Sequence, residues 1–388
     1  MTHHPYDDVS LESLRARPGA KWQVFPGDVL PLWVAEMDFP IADSIKQAIG
    51  ANLSANDLGY TVGVGVPGLR DAVAERLTVK HGLPLEPDQV ALLPTTGVGL
   101  GLAARAFAGP GDEVLLLTPL YPPFKHAVEN AGRVPVEVEL VNGDDGYSID
   151  FGALEAAVSP ASRLLMLCSP HNPVGKVFTR EELGRLADFA LRHNLWVVSD
   201  ELHADLLFDG KHVPIASISP EIGARTVTLY GPTKAFNIPG LKISFAVSSN
   251  PGLLERLSAA GKGLVPAPNV LAQVATVGAY RGGSEWLAYT LDYLRGNREL
   301  VVSFVNENLT GVGLHVPAAT YLAWLDLRSK GLGDKPAAVL AERAKVGLNE
   351  GADFGLGGAG FVRLNFATSR PILRLALERL ASVLGEQA

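Results

Sequence analysis

The sequence predicts an α/β protein built on a mostly parallel sheet, and three observations carry that expectation. Short apolar runs alternate with helix-like amphipathic stretches through the first two thirds of the chain. Three of those runs end in a polar group, with Asn172, Asp200 and Lys234 each just beyond an apolar strand. The chain has 388 residues, 47% of them hydrophobic and 19% charged, enough for two packed domains of ordinary globular composition.

Residues 1–30 mix proline, glycine and charge with weak periodicity and read as an extended arm. His3-His4 is too short to be a metal site. Residues 31–40 (PLWVAEMDFP) are apolar with acids at Glu36 and Asp38. Residues 41–54 and 69–81 read as helices, with Tyr60 in the connection between them. A strand at 90–93 leads into Pro94-Thr95-Thr96-Gly97-Val98-Gly99, which opens an apolar helix to about Ala108. Free amides and the dipole at such a helix start favour phosphate. Thr96 supplies a hydroxyl there, and Gly97 and Val98 supply N–H groups. The spacing is G-x-G-x-G and not the dinucleotide fingerprint G-x-G-x-x-G.

A strand at 113–118 ends near Tyr121, an aromatic able to stack on a planar ligand. Strands at 134–140, 163–168 and 195–199 then alternate with helices at 150–158 and 180–194. The stretch 226–244, TVTLYGPTKAFNIPGLKIS, is a strand broken at Gly231-Pro232, an irregular loop holding Lys234, and the start of a second strand, 243–247. Helices follow at 250–260, 269–280 and 284–308; the last carries Trp286, Tyr293 and Asn297 in structural roles. It leads into a smaller domain with strands at 321–327 and 361–367 and a helix at 371–384. Residues 351–360 are glycine-rich and read as a mobile loop. The expected division is an arm with part of the small domain (1–44), a large domain (45–285) and a C-terminal small domain (286–388).

In a parallel α/β sheet the strands' carboxyl ends gather at one edge, where ligands bind. An amide, a carboxylate and an amine converging there suit an aromatic aldehyde cofactor. The lysine forms a Schiff base, the carboxylate pairs with a pyridinium nitrogen, and the amide donates to a phenolate oxygen. That is the division of labour for pyridoxal 5'-phosphate, PLP. Arg363 lies in an apolar strand, where a charge needs a partner, and its planar fork suits a carboxylate.

The order HNPVG … SDELHADL … GPTKAFNIPGLK resembles the fold-type I aminotransferase superfamily (class I/II). Within it the chain is most similar to the MalY/PatB branch of C–S lyases, the cystathionine beta-lyase-like enzymes. The resemblance runs from PLWVAEMDFP to GFVRLNFATSR. It implies the PLP-transferase type I fold, with a seven-stranded sheet in a large domain and a smaller α+β domain. It implies PLP on Lys234, Asp200 at the ring nitrogen, Asn172 and His203 at the ring oxygen, and Tyr121 over the ring. Thr233 and Lys242 would serve the phosphate, with Gly231 departing from the aspartate aminotransferase pattern. Tyr60 would reach a partner subunit's phosphate, which implies a homodimer with shared sites. Arg363 would clamp the substrate α-carboxylate, and Ala35 lies in a stretch, ADMDF in the related lyases, that passes near it. Arg370 reads as a surface or structural charge. The implied reaction is β-elimination of cystathionine or another cysteine S-conjugate to a thiol, pyruvate and ammonia. The alternatives are an aminotransferase and a non-catalytic regulatory protein on the same fold.

A net charge of −8 with no basic run argues against nucleic-acid or anionic-membrane partners. No apolar run approaches the roughly 18 residues of a membrane span. Cys168 is the single cysteine, which excludes an intrachain disulfide and reads as an inert strand thiol. The polar start MTHHPYDDVS lacks the apolar core of a signal peptide, so the expected compartment is the cytoplasm.

Overall fold

Seven apolar runs pair into one sheet in the computed structural model, which describes residues 4–385. They are Val90–Leu93 (β1), Glu113–Thr118 (β2), Val134–Glu139 (β3), Ser162–Cys168 (β4), Trp196–Asp200 (β5), Thr226–Tyr230 (β6) and Ser244–Val247 (β7). Their order is β1-β7-β6-β5-β4-β2-β3. The ladder from β6 to β3 is parallel, each strand being returned to the same end by a crossover. Only β7 runs against its neighbours, β6 and β1. The cause is local: no crossover helix separates β6 from β7, only the loop that carries Lys234, so the chain must turn back beside itself. Helices cover both faces, and β4 and β6 are buried almost throughout. The helix Thr96–Phe107 lies directly on the sheet because residue 99 is glycine; a Cβ there would stand 2.8 Å from Leu229 Cδ2.

A second, antiparallel sheet is made of Gly313–Leu314 (β8), Leu322–Asp326 (β9), Asn349–Glu350 (β10) and Phe361–Asn365 (β11), in the order β8-β9-β11-β10. The helix Arg370–Leu384 presents Leu373, Ala376, Leu377, Leu380 and Leu384 on one stripe, and these join a core with Leu322, Leu364 and Val301. The long helix Ser284–Asn308 is fastened by its polar side chains. Trp286 Nε1 donates to Pro40 O at 3.1 Å. The Arg370 N–H donates to Tyr293 Oη at 2.8 Å, and Asn297 Nδ2 donates to Phe366 O and Thr368 O, each at 2.8 Å. The Arg370 guanidinium lies over the Tyr293 ring.

Two expectations need correction. The arm is not extended: it holds three short helical segments, Pro5–Asp8, Leu11–Arg15 and Ala20–Gln23. At four or five residues each, none is long enough to print a periodic pattern. What fixes the third is burial of Lys21 and Trp22. Lys21 Nζ lies 2.9 Å from Asp38 Oδ2, with the two side chains 0% and 1% exposed, and Trp22 Nε1 donates to Asp38 Oδ1 at 2.8 Å. Of the early pair, His4 caps the first segment, and His3 lies outside the described residues. Nor is 351–360 a mobile loop. Gly351 is buried, and a Cβ there would sit 2.3 Å from the carbonyl oxygens of Gly358 and Phe361, so Gly351 and Gly358 serve close backbone packing. Among the described residues no helix is long and apolar enough to cross a membrane.

Breaking the Lys21–Asp38 pair leaves a buried charge uncompensated. Lys21→Met is therefore expected to cost about 3–5 kcal/mol of folding stability, read from the urea midpoint. A loss below about 1 kcal/mol would mean that the pair is not the arm's anchor.

Candidate active site

Strand register sets the site's floor. Cys168, Asp200 and Leu229 stand opposite one another across β4, β5 and β6, so the three following loops leave the sheet at one level. The Ser169 N–H donates to Asp200 O at 3.0 Å, and the Tyr121 N–H donates to Asn172 O at 3.1 Å. His171 is wedged between the loops after β2 and β4, with Nε2 2.8 Å from Pro119 O and Nδ1 3.2 Å from Cys168 O.

The Lys234 loop is folded by its own backbone, Phe236 N to Pro232 O and Ile238 N to Thr233 O. Asn237 adopts a left-handed conformation, φ 56°. From there its amide accepts from Met37 N at 2.9 Å and donates to Met37 O and Phe39 O, each at 3.0 Å. The loop is thus sewn to the 31–40 segment. The small sheet grips the same segment from its other side. Arg363 Nη2 donates to Trp33 O at 3.1 Å, Asn365 Nδ2 to Val34 O at 2.6 Å and Glu36 O at 2.7 Å, and Tyr321 Oη to Ala35 O at 3.0 Å. Lys234 Nζ donates to that same Ala35 carbonyl at 2.7 Å.

Several charges are buried here without an ion partner. Burial pushes Asp200 up to about 6, against the pull of the Leu202 N–H and the Thr96 hydroxyl. Burial pulls Lys234 down to about 8; Arg363 adds to the fall, and Glu36 and Asp200 oppose it. Arg363 itself is pulled down to about 10 by burial. It is held by neutral oxygens, Asn172 Oδ1 at 2.9 Å and Asn349 Oδ1 at 2.6 Å besides Trp33 O, and its Nε has no partner. Among the described residues no carboxylate pairs with Arg363 and no cation pairs with Asp200. His203 is buried with Nδ1 unpartnered, its ring edge-on to Tyr321, and burial holds it at about 3. Burial also holds His171 at about 4 and pushes the Cys168 thiol up, which keeps it unreactive.

The structure gathers Lys234, Asp200, Asn172, His203, Thr96, Ala35 and Arg363, with Tyr121 at the edge of the group. Thr233 is buried in the lysine loop. Lys242 is exposed, at φ 59°, and adds positive charge to the surroundings of Lys234. Tyr60 is fully exposed and touches none of the others. The helix start differs from expectation in two respects. The Thr96 hydroxyl is turned to Asp200. Thr95 is the N-cap, and its Oγ1 takes the Val98 N–H at 3.1 Å, so Val98 is not a free phosphate donor. The amides of Thr96 and Gly97 precede the first helical bond, Gly99 N to Thr95 O, and stay outside the ladder. Sequence reasoning missed Tyr321, Asn237, Asn349, Asn365 and His171. Asn237 alone carried a signal, an asparagine in a broken loop before proline, since asparagine tolerates the left-handed region.

These residues fit PLP. A buried aspartate lacking a cation suits a pyridinium, an orphaned imidazole nitrogen suits a ring oxygen, and the open amides of a 12-residue helix suit a phosphate. A parallel sheet with a lysine-bearing return loop at its carboxyl edge defines the class of PLP-dependent enzymes of fold type I. The family model for aminotransferase class I and II matches residues 27–380, and the chain belongs to that family. It is 36% identical to cystathionine beta-lyase PatB of Bacillus subtilis (strain 168), over 92% of this chain and 93% of that protein. The crystal structure of OvoB superposes with a TM-score of 0.91 at 38% identity, covering 95% of this chain and 97% of that one. The PLP-bound C–S lyase from Staphylococcus hominis superposes at 0.91 with 28% identity, covering 99% and 98%. The cofactor is PLP.

The buried groups set a pH dependence in the apoprotein. His203 and His171 titrate near 3 and 4 when folded and near 6.5 when unfolded, so the unfolded chain holds the extra protons between those values. Asp200, near 6 when folded and 3.8 when unfolded, works the other way. Two protons against one leave about one between pH 4 and 6. From these groups the apoprotein is expected to lose about 1.4 kcal/mol per pH unit on acidification across that window. His203→Gln is expected to flatten that slope in urea titrations. An unchanged slope would mean that His203 is not held neutral.

Proposed function

We propose that this enzyme is a PLP-dependent C–S lyase, eliminating the sulfur substituent of cystathionine or a related cysteine S-conjugate to give a thiol, pyruvate and ammonia. One observation carries the reading. An amine titrating near 8, on Lys234, shares a buried site with a guanidinium, Arg363, that has no carboxylate of its own. Similarity to a cystathionine beta-lyase over nine tenths of the chain favours elimination over transamination.

When bound, PLP supplies an electron sink for the pair left at the substrate's Cα. The protein supplies the rest. Arg363 takes the α-carboxylate in a bidentate pair, steadied by Asn172 and Asn349. That fixes which Cα bond faces Lys234. The Ala35 carbonyl gives the Lys234 ammonium a resting partner when it is not bonded elsewhere, and Tyr321 keeps that carbonyl aimed. With its affinity for protons lowered by burial, Lys234 Nζ takes the Cα proton. The Cβ–S bond then breaks, its electron pair leaves on sulfur, and the sulfur takes a proton from Lys234 Nζ. The remaining three-carbon fragment hydrolyses to pyruvate and ammonia. Asp200 would keep the ring nitrogen protonated, Tyr121 would lie against the ring, and Asn172 and His203 would serve the ring oxygen. The Thr96 and Gly97 amides, Thr233 and Lys242 would serve the phosphate.

Incubating the protein and PLP with L-cystathionine, with no keto acid added, is expected to release pyruvate and free thiol together, and Lys234→Ala is expected to abolish both. Amino-group transfer to an added keto acid, with no thiol release, would make the enzyme an aminotransferase.

We further read the working form as a cytoplasmic homodimer with shared sites. Tyr60 is fully exposed beside exposed Leu58, Val62 and Val64, an apolar stretch suited to a second copy. Sedimentation equilibrium is expected to give a dimer. A monomer with full activity would overturn the sharing.

A further inference from the structure

We propose that Glu36 is a specificity-determining residue, selecting substrates whose sulfur substituent carries a positive charge, an ammonium above all, and disfavouring anionic ones. The proposal rests on the C–S lyase reading. Glu36 follows the residue whose carbonyl holds Lys234 Nζ. Its backbone is pinned: N–H to Val34 O at 2.8 Å, and carbonyl to Lys21 Nζ at 3.0 Å and Asn365 Nδ2 at 2.7 Å. Its side chain is only partly buried, and among the described residues no hydrogen bond or ion pair holds its carboxylate.

Two of the neighbouring cations are spoken for. Lys21 is paired with Asp38, and Arg363 is engaged with Asn172, Asn349 and Trp33 and awaits the α-carboxylate. The Glu36 carboxylate acts electrostatically on both Lys234 and Tyr321, opposite in sense to Arg363. Its Oε1 lies 3.7 Å from where a Cβ on Gly19 would stand, and Gly19 and Ala20 are exposed. The carboxylate therefore sits at the rim between the arm and the site, with no side chain on Gly19 to cover it.

The proposal places the α-carboxylate at Arg363 and Cα at Lys234, with the sulfur substituent running toward that rim. Asp200 belongs to the ring nitrogen, which leaves Glu36 as the acid without a counter-charge. A cationic substituent supplies one in a partly desolvated place, whereas an anionic one meets repulsion there.

The test compares three cysteine conjugates of similar size: S-(2-aminoethyl)-, S-ethyl- and S-carboxymethyl-L-cysteine. The wild-type enzyme is expected to favour the aminoethyl over the carboxymethyl compound by about tenfold or more in kcat/KM. Raising the salt is expected to shrink that ratio. Glu36→Gln is expected to bring the ratio within about threefold of unity, and Glu36→Asp to keep its direction. Dissociation constants, read from the change in cofactor absorbance on adding each compound, are expected to rank the same way. If none of the three releases pyruvate while the binding ranking holds, the lyase reading fails and the role of Glu36 stands. A wild-type enzyme with no preference, or a Glu36→Gln enzyme that keeps the full ratio in binding and turnover, overturns the proposal.

Discussion

Six main-chain carbonyls between Trp33 and Phe39 accept hydrogen bonds from side chains, and the site depends on that arrangement. This segment is largely buried yet joins neither sheet, so its backbone groups have no ladder to satisfy them. Lys21, Lys234, Asn237, Tyr321, Arg363 and Asn365 do so instead. They come from the arm, the lysine loop and the small sheet. The segment is therefore the common wall against which Lys234 and Arg363 are both positioned. The Lys234 and Arg363 side chains reach carbonyls only two residues apart, Ala35 and Trp33, which couples their placement.

The same wall explains the electrostatics. Three ionisable groups, buried Asp200 and Arg363 and half-buried Lys234, have no ion partners, an arrangement that costs folding free energy. The surrounding fold holds them there. Lys21 and Asp38 neutralise each other, and Asp205 is enclosed by Arg76, Lys80 and His81. Charges with structural work are paired, and charges without partners lie where a ligand brings its own. In the proposed complex a ring nitrogen, a carboxylate and a cationic sulfur substituent would answer Asp200, Arg363 and Glu36 in turn. Binding then recovers stability that folding gave up.

Much of this was legible in the chain. The strands came through because apolar runs bounded by glycine and proline report burial between helices, and the boundaries of β1 and β2 match the sequence reading residue for residue. The chemical types at the strand ends came through as well, since an amide, a carboxylate and an amine after buried strands have few other uses. The arm's short helices did not, being shorter than one period of the pattern that would announce them. The glycine-rich stretch at 351–360 misled because composition does not distinguish a flexible backbone from one pressed against another backbone.

By itself the sequence determined the fold class and the polar groups that the strands bring to one edge of the sheet, because hydrophobic periodicity and strand-end residues are local signals. Only the tertiary structure decided that Ala35 O receives Lys234, that Tyr321 steadies it, that Val98 is capped by Thr95, and that Glu36 stands unpaired beside a spoken-for Lys21. Apart from the Val98 cap, those facts join segments up to some three hundred residues apart through single side-chain-to-backbone or side-chain pairs. Such a pair leaves no periodic trace in either segment, so only the folded chain reveals it.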